Sequence, residues 1–103
     1  MIIVGLKIEK MCCTGVSGYS YYCFDCKDYH EAAVETLKAQ HSSPWWCYFF
    51  RDGEFHDTES KKTWHVDCGG HTQKDYRSES DEAFRKRWSD KEYTPIRTMN
   101  DIL

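Results

Sequence analysis

The pattern of apolar residues near the start of the chain constrains its fold more than any other feature. In the stretch IIVGLKIE, every second residue from Ile2 to Ile8 is a large aliphatic, and the residues between them become polar at Lys7 and Glu9. Successive side chains of a strand point to opposite faces of a sheet, so this period of two predicts a strand with one buried face. Such a strand needs partners, which makes a sheet the expected scaffold.

Further patterns along the chain predict the remaining elements. We expect a turn at 11–18, a strand at 19–24, a helix at 29–40 capped by Asp28, an aromatic strand at 45–50, a hairpin at Asp52-Gly53 returning through 54–57, a strand at 63–68 and a helix at 79–89. This order predicts an α+β fold, a small antiparallel sheet of four to five strands covered by two helices, mainly on one face. Residues 1–103 are expected to form a single domain in which 91–103 is an irregular tail.

The second helix carries a mixed pattern of apolar and basic residues. Ser78 and Asp81 fit the capping pattern at its start. Phe84 and Trp88 lie four residues apart, so both can dock on the sheet while the basic residues 85–87 face solvent.

Charge and hydropathy narrow the classes of function. The chain has 14 Lys and Arg against 17 Asp and Glu, a formal net charge of -3, which disfavours general binding to phosphate backbones. No apolar run approaches the roughly 18 residues of a membrane span. The lysines of the first ten residues follow the apolar stretch, the reverse of a secretory signal. We therefore expect an unexported, cytoplasmic protein without a membrane partner.

Two pairs of potential zinc ligands stand out among the cysteines and histidines. Cys23 and Cys26 form a C-x2-C pair, and Cys68 and His71 form a C-x2-H pair. Zinc prefers four such ligands in a tetrahedron, so the pairs predict one structural zinc in a zinc-ribbon-like site. The substitutes for the fourth ligand are His65, His30 and Cys47. The alternative is that the cysteines are reduced thiols packed in the core of a cytoplasmic protein.

The aromatic content favours a docking surface for another protein. Aromatic residues make up 16% of the chain, and in the stretch WWCYFF both faces of a strand are apolar. If helices cover only one face, the other face is an exposed patch of the kind that anchors interfaces; if they cover both, the strand is simply central. The residues expected at this surface are Tyr19, Tyr21, Tyr22, Trp45, Trp46, Tyr48 and Phe50.

A second interpretation is a zinc-ribbon-like protein that binds single-stranded nucleic acid. Aromatic rings on a sheet can stack on bases while nearby cations follow the backbone. The basic residues of this alternative are Lys74, Arg77, Arg85, Lys86 and Arg87. The acidic balance of the chain and the lack of a recognised RNA-binding motif favour the protein-binding interpretation.

Catalysis is the least supported class. The chain has no phosphate-cradling glycine loop and no H-E-x-x-H motif, and a cluster formed by Glu54, His56 and Asp57 is explained most simply as a polar hairpin edge. A small Cys/His enzyme is the third interpretation.

In size and style, the chain resembles small phage-encoded proteins that bind and inhibit host machinery, such as anti-CRISPR and anti-restriction factors. No motif carries this resemblance, so it assigns no residue a role. What it implies is an inhibitor or regulator whose partner is a host or regulatory protein complex. Independently of this resemblance, we expect a homodimer as an alternative association.

Overall fold

The structure is a computed structural model that describes residues 1–12, 15–41, 48–66 and 72–90, with side chains at 1–9, 18–38, 52–66 and 75–90. Its elements are β1 (Ile2–Cys12), β2 (Gly15–Cys26), α1 (Tyr29–His41), β3 (Tyr48–Asp57), β4 (Lys62–Val66), β5 (Thr72–Ser78) and α2 (Asp81–Ser89). The predicted class is confirmed: the fold is α+β, with a 5-stranded antiparallel sheet and two helices in the expected order. The predicted tail at 91–103 lies outside the described residues.

The strands lie in the order β2-β1-β3-β4-β5, so β1 and β3 are interior strands and β2 and β5 are the edges. Val4 of β1 stands opposite Phe24 of β2 on one side and opposite Phe55 of β3 on the other. Val4 therefore has apolar neighbours on both adjacent strands, which is the cross-strand contact that stabilises a sheet.

The two helices cover opposite faces of the sheet, which corrects the expectation of cover mainly on one face. On the face of α1, the predicted aliphatic set of β1 is buried together with Ala32 and Phe55. On the face of α2, Ile3 is fully buried against Phe84 and Trp88. The prediction of one buried face for β1 was wrong at this position because a second helix, distant in sequence, removes Ile3 from water.

Gly5 is required where α2 approaches the sheet most closely. It lies on the α2 face of β1, and a Cβ at this position would overlap the indole of Trp88. Absence of a side chain thus allows the ring to lie directly on the backbone.

The β3 strand differs from the predicted hairpin. Asp52-Gly53 lies inside β3, and the predicted return strand 54–57 is the continuation of the same strand. The register with β1 shifts by one residue at this point, where Arg51 is the extra residue of a bulge, and a Cβ on Gly53 would overlap the Gly5 carbonyl. Gly53 therefore serves close approach of two backbones and not a turn.

The turn that joins β3 to β4 occupies residues 58–61. The carboxylate of Asp57 accepts a hydrogen bond from the Glu59 amide at 2.8 Å, and Lys61, at φ 60°, donates its amide to the Asp57 carbonyl at 2.9 Å. Burial alone would raise the pKa of Asp57, but the amides of Glu59 and Ser60 outweigh it and hold that pKa below its ordinary value. Asp57 is thus the residue that organises this turn.

Two other segments of the sheet differ from those predicted. The expected turn at 11–18 is largely strand, because β1 extends to Cys12 and β2 begins at Gly15. The strand β5 was not predicted, since its sequence TQKDYRS has no apolar alternation. It is held by its backbone pairing to β4.

Both helices begin at an oxygen-bearing cap. Asp28 accepts the Glu31 amide at 2.9 Å, which confirms the predicted cap of α1. In α2 the cap is Ser80, which accepts the Ala83 amide at 3.1 Å. Ser78, the predicted cap, instead ends β5, where its hydroxyl accepts a hydrogen bond from Lys62.

Candidate functional site

Three aromatic side chains form a continuous exposed row on the α1 face, which we call the aromatic row: Tyr29, Trp64 and Tyr76. The ring centroids of Tyr29 and Trp64 lie 5.4 Å apart in an edge-to-face arrangement, and those of Trp64 and Tyr76 lie 5.9 Å apart. Trp64 is half-buried, whereas Tyr29 is 39% exposed and Tyr76 is 58% exposed. The row leads from the start of α1 across β4 to the edge strand β5.

Polar groups border the aromatic row at both ends. The Lys62 ammonium lies 5.3 Å from the centroid of Tyr76, a cation–π distance. Burial, with the nearby Asp57 carboxylate, raises the pKa of the Tyr29 phenol to about 12. The Tyr29 hydroxyl therefore stays protonated and can donate a hydrogen bond to a partner.

The structure divides the predicted aromatic surface between the two faces of the sheet. Tyr19 and Tyr21 lie on the α2 face, where Lys7 covers the ring of Tyr19 at 4.2 Å and Tyr21 packs against Trp88 at 6.1 Å. Tyr22 projects from the opposite face and is 36% exposed. Adjacent residues of one strand cannot share a face, so these tyrosines do not form one surface.

The remaining residues of that prediction are untested. Trp45 and Trp46 lie outside the described residues, and Tyr48 and Phe50 belong to β3 at positions whose side chains are not described. β3 is an interior strand of a sheet with one helix on each face, but it pairs with β4 only over Gly53–Asp57, so the cover of the aromatic segment 45–50 stays a prediction. Sequence reasoning missed Tyr76 because it lies in a polar segment, although a tyrosine isolated among polar residues is itself a signal of exposure.

Beneath α2, a fully buried histidine joins the helix to two strands. His56 is 0% exposed, and its Nδ1 and Nε2 lie 2.7 Å from Thr63 Oγ1 and 2.6 Å from Asp81 Oδ1. The Thr63 hydroxyl donates to Glu79 Oε1 at 2.8 Å, and the imidazole stacks on Phe84 at 5.1 Å. His56 is therefore a core residue on β3, which corrects its interpretation as part of a polar hairpin edge.

Two carboxylates hold the ends of this network. The Thr63 hydroxyl donates to Glu79, and its oxygen also lies against Nδ1 of His56, while Nε2 of His56 lies against the Asp81 carboxylate. Burial would raise the pKa of Asp81, but hydrogen bonds from His56 and Lys61 outweigh it and lower that pKa, which keeps the carboxylate ionised.

The direction of the Thr63 hydrogen bond bears on the chemistry of this network. A hydroxyl, an imidazole and a carboxylate in sequence are the parts of a nucleophilic relay, in which the hydroxyl donates its proton to the imidazole. Here the Thr63 hydroxyl donates to Glu79, and Thr63 is only 2% exposed. In this arrangement the network attaches α2 to the sheet.

A second set of charged contacts holds the C-terminal half of α2. Glu54 of β3 accepts hydrogen bonds from Arg87 at 2.6 Å, from the Trp88 indole at 2.8 Å and from Arg77 of β5 at 2.7 Å. Arg87 also donates to Glu79 at 2.6 Å. Burial would raise the pKa of Glu79, but Arg87 and Thr63 outweigh it and lower that pKa.

Ion pairs within the chain also involve most of the basic residues that the nucleic-acid interpretation requires. Arg77 and Arg87 pair with Glu54, and Arg85 pairs with Asp25 at 3.0 Å. Lys86 is exposed, and the side chain of Lys74 is outside the described residues. A guanidinium already neutralised by a carboxylate attracts phosphate weakly, so this face offers little electrostatic attraction to nucleic acid.

The predicted C-x2-C pair does not converge on one point. Cys23 and Cys26 both lie in β2, where a spacing of three places them on opposite faces. Cys23 is exposed, whereas Cys26 is 4% exposed in the α1-side core. Burial raises the pKa of the Cys26 thiol to about 11, with a further contribution from nearby carboxylates, of which Glu31 has the largest effect. Thiolate is the form that binds zinc, so these features favour separate reduced thiols.

The other predicted zinc ligands leave the site untested. Cys68 and His71 lie outside the described residues, and His65 is exposed on the α2 face. Over 1–12, 15–41, 48–66 and 72–90, no three His, Cys, Asp or Glu side chains are grouped so as to hold a metal ion. A zinc site stays a prediction.

A cleft of about 210 Å³ opens on the α2 face, lined by Lys7, Tyr21, Asp52, Glu54, His65 and Arg87 among others. It is smaller than the roughly 300–1,000 Å³ of usual ligand sites. Charges of both signs line the cleft, and Glu54 and Arg87 already form an ion pair. The cleft therefore presents no uniform charge to a ligand.

Neither helix within the described ranges combines the length and apolar character that a bilayer crossing demands. Comparison of the chain with family models, with curated proteins and with solved structures finds no significant match.

Proposed function

We propose that the chain is a non-enzymatic protein-binding module and that the aromatic row is its contact surface. The observation that carries this proposal is the exposure of 58% at Tyr76 and 39% at Tyr29, in a row made continuous by Trp64. Tyrosine and tryptophan dominate the energetics of protein interfaces because they bring a large contact area with few rotatable bonds.

The surroundings of the row support a protein partner. Lys62 and the ionised Asp57 flank the rings with charges of both signs, which resembles the polar rim around an apolar interface centre. Stacking of bases on the same rings is the alternative function. It is less supported, because Arg77, Arg85 and Arg87 are paired with carboxylates and the chain carries a net charge of -3.

The partner that we propose is a host or regulatory protein complex, and the role is that of an inhibitor or regulator. Support for this finer step is the aromatic content of 16% together with the exposed aromatic row. The network of His56 and Thr63 adds an argument against a nucleophilic enzyme. The Thr63 hydroxyl lies next to the imidazole, but it donates its hydrogen bond to Glu79.

Site-specific photo-crosslinking tests the contact surface. A benzophenone amino acid placed at Tyr76 should cross-link one protein from host lysate, which mass spectrometry identifies. The matched control is the same amino acid at Tyr22, which is 36% exposed on the same face at the opposite edge of the sheet. A cross-link from both positions or from Tyr22 alone would contradict the proposal.

Alanine substitution then measures the contribution of the row. The double variant Tyr29→Ala/Tyr76→Ala should weaken binding to the identified partner by about 2 kcal/mol, about thirtyfold in Kd. Tyr22→Ala should leave Kd unchanged, and circular dichroism should show that both variants are folded. A partner that binds the double variant as well as the wild type would exclude the row, and salt-sensitive binding of single-stranded RNA that depends on the same rings would favour the alternative.

A further inference from the structure

The two edges of the sheet differ in what covers them. Both helices pack against β2, and Arg85 of α2 pairs with Asp25 on that strand. β5 packs mainly on β4, and no neighbour of β5 on its other side is found among the described residues. An edge strand of this kind offers a row of backbone donors and acceptors to another chain.

The phase of the β4–β5 ladder shows which backbone groups face outward. The Glu79 amide donates to the Lys61 carbonyl at 3.0 Å, one step beyond the pairing of Lys62 with Ser78. Hydrogen-bonded and non-hydrogen-bonded pairs alternate along an antiparallel ladder. The Ser78 and Tyr76 positions are therefore non-hydrogen-bonded pairs with β4, and their amide and carbonyl groups point away from β4.

The sequence of β5 is self-complementary in one antiparallel register. Pairing centred on Tyr76 places Tyr76 opposite its own copy and Asp75 opposite Arg77 of the other chain, twice by symmetry. A register centred on Asp75 or on Arg77 would instead place like charges opposite each other, which destabilises cross-strand pairs. Asp75 and Arg77 are both exposed; Arg77 already pairs with Glu54 and Glu79 of its own chain, and Asp75 of the second copy adds a further carboxylate beside this guanidinium.

We propose that the chain forms a symmetric homodimer through antiparallel pairing of β5 with β5 of a second copy, centred on Tyr76. The pair of Tyr76 residues at the centre exchanges two backbone hydrogen bonds, because the amide and carbonyl of Tyr76 both point away from β4. The pairing joins two 5-stranded sheets into one and places the two aromatic rows end to end on the same face. The dimer does not depend on the proposed function, since it requires no other partner.

Sedimentation equilibrium of the purified full chain tests the dimer. The wild type should approach twice the chain mass of 12.2 kDa as its concentration rises. Asp75→Arg replaces two attractive pairs with two repulsive ones and should raise the dissociation constant about tenfold or more. The control Glu59→Arg makes the same charge change in the exposed turn before β4 and should leave the dissociation constant unchanged.

A backbone test separates the strand pairing from a side-chain contact. Tyr76→Pro removes an outward amide without breaking the ladder to β4, so it should abolish dimers while thermal unfolding shows a folded chain. Tyr76→Ala keeps that amide and should retain part of the association. A wild type that stays monomeric from about 1 µM to about 1 mM overturns the proposal, as do dimers that Asp75→Arg and Tyr76→Pro leave intact. A monomer would leave the photo-crosslinking test of the aromatic row unaffected.

Discussion

Gly5 lies directly beneath the indole of Trp88, and the substitution Gly5→Ala tests whether this contact positions α2. A Cβ at Gly5 would overlap three atoms of the indole. The ring has little room to move, because its Nε1 donates to Glu54 at 2.8 Å and it packs against Phe84 and Tyr21.

The expected loss of stability follows from the contacts of Trp88 that a Cβ at Gly5 would disturb. Overpacking of a well-packed core costs about 1–3 kcal/mol, and losing a hydrogen bond to a charged group costs about 1.5–3 kcal/mol. We therefore expect Gly5→Ala to lower the free energy of unfolding by about 3–5 kcal/mol, a large part of the roughly 5–15 kcal/mol typical of a domain. Trp88→Ala alone should cost about 3–5 kcal/mol through the cavity it creates.

A double-mutant cycle distinguishes this overlap from a general intolerance of β1. In the Trp88→Ala background the added methyl group has space, so Gly5→Ala should be neutral or stabilise by up to about 1 kcal/mol through the unfolded state. The assay is urea unfolding followed by far-ultraviolet circular dichroism, which does not depend on the tryptophan. An equal cost of Gly5→Ala in both backgrounds would refute the reasoning.

Three further predictions concern the buried network and the thiols. His56→Ala should cost about 3–5 kcal/mol in urea unfolding because it removes a fully buried ring that stacks on Phe84 and leaves a cavity beneath α2. His65→Ala, on the same face but exposed, should cost less than about 0.5 kcal/mol. The pKa of Glu79 is lowered in the folded chain, so the stabilisation by its carboxylate is complete above the ordinary pKa of 4.5 and is lost as the pH falls through the lower folded pKa. Glu79→Gln should therefore make the free energy of unfolding less dependent on pH in the acid range, and an unchanged dependence would exclude this role. Native alkylation with iodoacetamide, mapped by mass spectrometry, should modify the exposed Cys23 well before the buried Cys26, and equal protection of both would instead support shared metal ligation.

Much of the fold follows from local patterns in the sequence. The alternation from Ile2 to Ile8 predicts β1 correctly, and the spacing of apolar residues after Asp28 predicts α1 with its cap. Phe84 and Trp88 dock as expected because a four-residue spacing places both on one side of a helix.

The errors have physical causes in contacts that no local pattern contains. Asp52-Gly53 is a favoured turn dipeptide, but Gly53 is used where β1 and β3 approach closely. The strand β5 has no apolar alternation, since a short edge strand can be held by its backbone ladder. The sequence predicted the contact surface on β2 and the WWCYFF segment, whereas the structure shows an exposed row of rings that ends at Tyr76. This row could not be predicted, because it forms only when β4 and β5 pair.

Local patterns predict both helices, β1 and the apolar side of each, because these properties depend on residues a few positions apart. The placement of the helices on opposite faces, the burial of His56 beside Asp81 and the pairing of Glu54 with Arg87 follow from long-range packing. The two contacts join residues 25 and 33 positions apart. Periodicity shows that a segment has an apolar face, but the partner of that face depends on how distant segments pack together to exclude water.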